Sequence, residues 1–308
     1  MSAKTLSLAL AVPLVAASLG AAFAVPAAAQ TCNVTGKAQC ANTTMNWQVK
    51  AHDNLKGSNF KGAKLKGADF RNANLTKANF KGAVLTSADF RNANLTKVNF
   101  SGAKLKYANF TGATMTKAQL TKAKSSNANF TGVSLQKSKL KNGNFENSNF
   151  YGADLTGANL AGSNQVPPPP PFGPQTKAKV TTDLTNANLY GATLSGANLK
   201  NVNLDNAMMG GVFAFGTNFT QANLYGSTLN GALLEGSNLT RAFALGVFFN
   251  GANLGGTTLV STDVRYSSFV GTYLEGATVS SVLSTGSTWL DAVCPSGIPG
   301  GVHNCFMN

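Results

Sequence analysis

The sequence predicts an all-β fold, a solenoid of square coils, on three observations. A Leu or Phe stands at nearly every fifth position from Leu55 to Leu160. A small residue stands two places before each, as at Ala63, Ala68, Ala73 and Ala78. The stretch ADFRNANLTK at residue 68 returns at residue 88, and residues 67–86 match 87–106 at 15 of 20 positions, against 10 of 20 for a shift of ten. A helix places apolar residues every 3.6 positions and a strand every second one, so a step of five fits neither. A short extended piece can point a small and a large residue inward with one polar residue between them. The other two residues then turn a corner, and four such sides close a coil of 20 residues.

The motif of small residue, Asn or Asp, Leu or Phe, then two variable residues, as in Ala73-Asn74-Leu75-Thr76-Lys77, resembles the pentapeptide repeat family. That resemblance implies a right-handed quadrilateral β-helix over residues 53–160 and 182–289. Each stretch holds 22 units of five, so at four per coil the solenoid is expected to have about 11 coils. Phe60, Phe80 and Phe100 should form one interior column, and Phe70, Phe90, Phe110, Phe130 and Phe150 the opposite one. Burial of each Leu or Phe contributes roughly 1.5–3 kcal/mol before entropy, and the filled axis leaves no room for a small-molecule substrate.

The chain divides in order along its length. Residues 1–29 read as an export signal, with Lys4, an apolar run from Leu6 to Leu19 and a small-residue cleavage site at Ala27–Ala29. The mature chain is expected to begin at Gln30, without a membrane span, and to reside in the periplasm or outside a bacterial cell. Residues 30–52 form an N-terminal cap with Cys32 and Cys40, and 53–164 a first repeat block. Ser125 occupies a large-residue position there, and its hydroxyl is expected to bond the backbone. Residues 165–181, with five consecutive prolines, lack the donors that coil stacking needs and read as a loop thrown out of the rod.

A second block follows over 182–290. In it Ala214 and Ala244 take large-residue positions, while Phe213, Phe215, Leu233, Phe243 and Phe248 fall on outward ones. Either the backbone bulges to turn these side chains inward, or they form an apolar partner surface. Residues 291–308 form a C-terminal cap with Cys294 and Cys305. Because the ends of a rod lie far apart, only local pairs, Cys32–Cys40 and Cys294–Cys305, are geometrically reasonable. An oxidising compartment agrees with that. The tail CPSGIPGGVHNC also resembles a loop that follows the last coil in exported members of the family.

Charge is unevenly divided. Residues 50–160 carry 18 Lys or Arg against 5 acids, a net of +13, whereas residues 180–289 carry 3 against 5, a net of −2. Lys77, Lys97, Lys117 and Lys137 lie 20 apart and should form a ladder up one face. Lys64, Lys104 and Lys124 partly line another face, and Arg71 with Arg91 begin a third. Like charges about 4.8 Å apart repel by about 1 kcal/mol per pair in water, and a bound polyanion would relieve this. The competing reading is a solvated face that discourages lateral aggregation. Aromatics are scarce on the basic faces, apart from Tyr107 and Tyr151, so nucleic acid is not the expected anion. Lipopolysaccharide, anionic lipid or acidic polysaccharide is more accessible to an exported chain.

No catalytic set can be assembled. The two histidines, His52 and His303, lie at opposite ends, the carboxylates are scattered, and Cys294, His303 and Cys305 lack the spacing of a zinc site. Neither cofactor nor metal is expected. The best-known role of the resembled family is inhibition of DNA gyrase by mimicry of duplex DNA, in acidic cytoplasmic members; the basic charge and export signal oppose it here. Two functions remain. One is an exported structural or protein-interaction scaffold, for which a homodimer is one form the contact would take. The other is a polyanion-binding module built on the lysine ladder.

Overall fold

The computed structural model describes residues 38–42, 54–162, 182–296 and 305–306. The export signal, most of the N-terminal cap, the proline-rich loop, His52 and His303 lie outside these. The described residues form square coils without helix, each side held by one parallel bridge to the residue 20 positions on, such as Asn54↔Asn74 and Asn59↔Asn79. Side one carries Asn54, Asn74, Asn94 and Thr114 outward; side two Asn59, Asn79, Asn99 and Gln119; side three Lys64, Val84, Lys104 and Lys124; side four Asp69, Asp89, Asn109 and Asn129. Pairing lengthens into strands only at β1 (Thr258–Val260) and β2 (Thr278–Ser280), which run parallel on side two.

Each residue of the repeat has a physical reason. The large side chain points to the axis, and its amide donates to the next coil, as Leu55 N does to Asn74 O at 2.8 Å. Two corner residues follow in a turn closed by the next small residue, for example Ser58 N to Leu55 O at 3.0 Å. The second corner residue has positive φ, the conformation that a type II turn requires at its third position and that favours Gly or Asn: Gly57 lies at +69° and Asn72 at +58°. The first corner amide is capped by the outward Asn or Asp, as when Asn59 Oδ1 accepts from Lys61 N at 3.2 Å and Asn99 Oδ1 from Ser101 N at 3.0 Å. That local bond explains why Asn and Asp recur before the large residue.

The axis is filled. Phe60 stacks on Phe80 at 4.7 Å and Phe80 on Phe100 at 5.1 Å; in the opposite column Phe70, Phe90 and Phe110 stack at 5.0 Å steps. The columns meet edge to face, as Phe80 and Phe90 do at 5.8 Å and 85°. Such pairs add about 0.5–1.5 kcal/mol each beyond burial. Ser125 departs from expectation: its buried hydroxyl finds no hydrogen-bond partner among the described residues. The Ser125 carbonyl accepts instead from the hydroxyl of Ser148 at 2.7 Å. In the next coil of the Ser125 column Phe145 is accommodated because residue 143 is Gly; a Cβ there would meet the ring at 2.4 Å.

The two blocks are one stack. Asn144 pairs with Asp183, Asn149 with Asn188, Asp154 with Thr193 and Asn159 with Asn198, each 39 residues apart rather than 20. The additional 19 residues therefore leave at a single corner, between sides two and three. On either side of it Gly162 N donates to Lys200 O at 2.9 Å and Asn142 N to Thr182 Oγ1 at 2.9 Å. The last coils close on Trp289, which stacks on Phe269 at 4.1 Å and meets the edge of Phe306 at 4.6 Å. Cys294 and Cys305 are joined by a disulfide. Cys40 is buried and disulfide-bonded; Cys32, its expected partner, lies outside the described residues.

Candidate functional site

With the axis filled, chemistry is confined to the walls. Lys77, Lys97, Lys117 and Lys137 occupy the second corner position between sides one and two, at φ of 61°, 59°, 60° and 56°. The same column holds Gly57 below and Gly157, Gly196, Gly216 and Gly236 above, all at positive φ. A left-handed residue other than Gly costs roughly 1–2 kcal/mol. Four successive lysines thus stand where the fold itself would favour glycine.

Sequence spacing missed a second lysine row across side two. Lys61, Lys81 and Lys141 hold the first residue of the corner between sides two and three, and Lys122 the second residue of that corner. Because the row switches between two corner positions, no strict step of 20 reveals it. Lys64, Lys104 and Lys124 project from side three, where Lys104 and Lys124 are bridge partners. No lysine forms an ion pair among the described residues, whose salt bridges all involve Arg.

Arg71 and Arg91 are placed apart from this surface, at the corner between sides four and one. Each grips the Asp two residues earlier: Arg71 Nη2 donates to Asp69 Oδ2, and Arg91 Nη2 to Asp89 Oδ2, both at 2.6 Å. The bond from Arg71 holds the Asp69 carboxyl below the usual carboxylate range, against the opposing effect of burial. These arginines are committed to side four, so the expected third basic face does not join the lysines.

The second-block aromatics do not bulge inward. Phe213 bridges Thr193 and Leu233 in the regular register and is 45% exposed. Phe215, at the corner of the same coil, is also exposed, and Leu233 is half-buried on the next rung of side one. Phe248 is exposed on side four. Phe243, although outward on side three, is only 8% exposed, its ring lying parallel to that of Tyr225 at 6.2 Å. The five residues therefore separate: Phe213, Phe215 and Leu233 form one patch, and Phe243 and Phe248 lie elsewhere. Met208 on side four and Tyr190, which stacks on Tyr151, were missed by periodicity; both are exposed.

Among the described residues no group of His, Cys, Asp and Glu could hold a metal ion, and no helix is long and apolar enough to cross a membrane. The family described as Pentapeptide repeats matches in 8 copies, over residues 54–92, 93–124, 128–164, 182–221 and 217–256. No functionally curated protein matches. Among solved structures, HetL from the cyanobacterium Nostoc, a pentapeptide repeat protein involved in heterocyst differentiation regulation, is 24% identical, with 82% of this chain and 93% of that one covered and a TM-score of 0.34. A pentapeptide repeat protein of the Arabidopsis thaliana thylakoid lumen is 36% identical over 35% of this chain and 65% of its own, with a TM-score of 0.26. QnrB1, a plasmid-mediated fluoroquinolone resistance protein, is 15% identical over 75% and 93%, with a TM-score of 0.28.

Proposed function

The chain belongs to the pentapeptide repeat family, with its right-handed quadrilateral β-helix, and from that premise we propose that it is an exported, non-enzymatic interaction scaffold. One observation carries the reading: the axis is packed with side chains from Leu55 to Trp289, so recognition falls to the outer walls. The patch of Phe213, Phe215 and Leu233 is the protein-contact surface of this scaffold, since exposed rings beside an aliphatic residue are what interfaces bury. Export rests on the N-terminal signal and on the cysteine pairs. The test captures partners from a bacterial envelope fraction with the mature chain and with a Phe213→Ser, Phe215→Ser variant. A partner retained at high salt by the first and lost by the second supports the reading. Equal capture by both refutes the patch, and a secreted chain that keeps residues 1–29 refutes the export signal.

A second reading, binding of a polyanion by the first block, is favoured by the four left-handed lysines. They form a charge column where glycine would be less strained, and no acid neutralises them.

A further inference from the structure

We propose that side two of the first block is a linear track for one acidic polysaccharide chain, lying parallel to the coil axis between the two lysine rows. The proposal rests on the polyanion reading and specifies its site and ligand. The floor of the track is the amide column Asn59, Asn79, Asn99 and Gln119. Capping the corners uses amide oxygens, as when Asn59 Oδ1 accepts from Lys61 N and Asn79 Oδ1 from Lys81 N at 3.1 Å; Asn79 Nδ2 gives one N–H to Asn59 Oδ1 at 3.3 Å, and its second N–H is left to meet hydroxyls and anions. One wall is Lys77, Lys97, Lys117 and Lys137; the other is Lys61, Lys81, Lys122 and Lys141. Over residues 56–62, 76–82, 96–102, 116–122, 136–142 and 156–162, which build this side and its corners, there is no Asp or Glu and no outward aromatic ring.

Three features select the ligand class. The Lys77 column places a charge on four successive rungs about 4.8 Å apart, close to the length of one pyranose residue, and the opposite row adds a charge on each of these rungs except that of Ser101, so a polymer charged at each sugar can meet successive rungs. Phosphates of one strand of duplex DNA advance about 3.4 Å each along the helix axis while winding around it, out of step with a straight column of rungs. Single-stranded nucleic acid would need rings on which to stack its bases, and this side has none. The Lys77 column ends at Lys137, and Gly157 and Gly196 continue it without charge; across side two Ala161 follows Lys141, and only the isolated Lys200 and Arg241 lie farther along that corner, so facing lysines belong to the first block.

The test uses the mature full-length chain and polygalacturonate as probe, with affinity measured against salt. Lys77, Lys97, Lys117 and Lys137→Gly removes one row while placing Gly at positive φ, which protects the fold. Lys61, Lys81, Lys122 and Lys141→Gln removes the other. Lys64, Lys104 and Lys124→Gln, on side three, is the control of similar charge. Each row variant is expected to lose about 10-fold or more at low salt and the control less than about 3-fold, with wild-type binding weakening steeply as salt rises. If the control loses as much as the row variants, the track is overturned while binding by the basic block stands. If wild type fails to bind polygalacturonate at low salt, both fall. Tighter binding to an oligothymidylate or to anionic phosphatidylglycerol vesicles overturns the polysaccharide assignment.

Discussion

Replacing Phe90 by Ala removes a ring stacked at 5.0 Å on both Phe70 and Phe110 and meeting the edges of Phe80 at 5.8 Å and Phe100 at 5.4 Å. Truncation of a buried Phe costs about 3–5 kcal/mol, and the loss of four ring contacts at roughly 0.5–1.5 kcal/mol each places Phe90→Ala at the upper end, near 5 kcal/mol. In a solenoid each coil touches only its neighbours, so the damage should stay local. The ladder amides of Phe70, which donates to Asp89 O at 2.7 Å, and of Phe90, which donates to Asn109 O at 2.7 Å, should exchange much faster. Those in the second block, such as Leu224 N to Phe243 O at 2.7 Å, should not change. Urea denaturation followed by circular dichroism gives the energy, and hydrogen exchange with mass spectrometry gives its location. A loss below about 1 kcal/mol with unchanged exchange would refute a close-packed axis.

Ser125→Ala should raise the urea midpoint by the equivalent of about 1 kcal/mol, because it removes a buried hydroxyl without a partner; a lower midpoint would show that the hydroxyl is bonded. Opening the Cys294–Cys305 bridge, which closes a separation of 11 residues, with Cys294→Ser and Cys305→Ser should cost about 2–3 kcal/mol. Exchange should quicken over the last coils while the first block stays protected; uniform loss would contradict coil-by-coil stability. Burial first, and the Asp183 charge second, push the Asp205 carboxyl above its ordinary value of 3.8. A raised carboxylate favours folding below that ordinary value and loses its contribution as pH climbs through the folded one. Asp205→Asn should therefore gain about 0.5 kcal/mol at neutral pH after screening, and nothing below the ordinary value; a loss at neutral pH would reverse the sign of the argument.

The coil was legible because each side repeats one rule: a small residue, a corner-capping Asn or Asp, a large apolar residue and a turn. Phe60, Phe80 and Phe100 announced their column by spacing alone, and the prolines announced where the chain leaves the stack. What spacing could not give were contacts between unlike positions. Phe243 is covered by Tyr225, a corner residue of the coil before, and no period links the two. Arg71 and Arg91 are engaged by Asp69 and Asp89 two residues earlier, a pairing within one turn that the long repeat obscured. Lys61, Lys81, Lys122 and Lys141 form a row only when two neighbouring corner positions are projected onto one edge. That Lys77 and its successors stand at positive φ was equally hidden, because sequence gives the corner but not which of its residues is left-handed.

The most direct test of the continuous coil is a pair of spin-label distances along the corner from which the proline-rich segment departs. Lys61→Cys with Lys141→Cys spans four rungs, and Lys61→Cys with Thr240→Cys spans eight, because residue 161 is followed in the column by residue 200. The expected distances are about 19 and 38 Å, in a ratio of two, with the departing 19 residues adding no rung. A longer distance departing from that ratio, or broad enough to indicate two independently oriented blocks, would contradict a single axis and every wall assignment built on it.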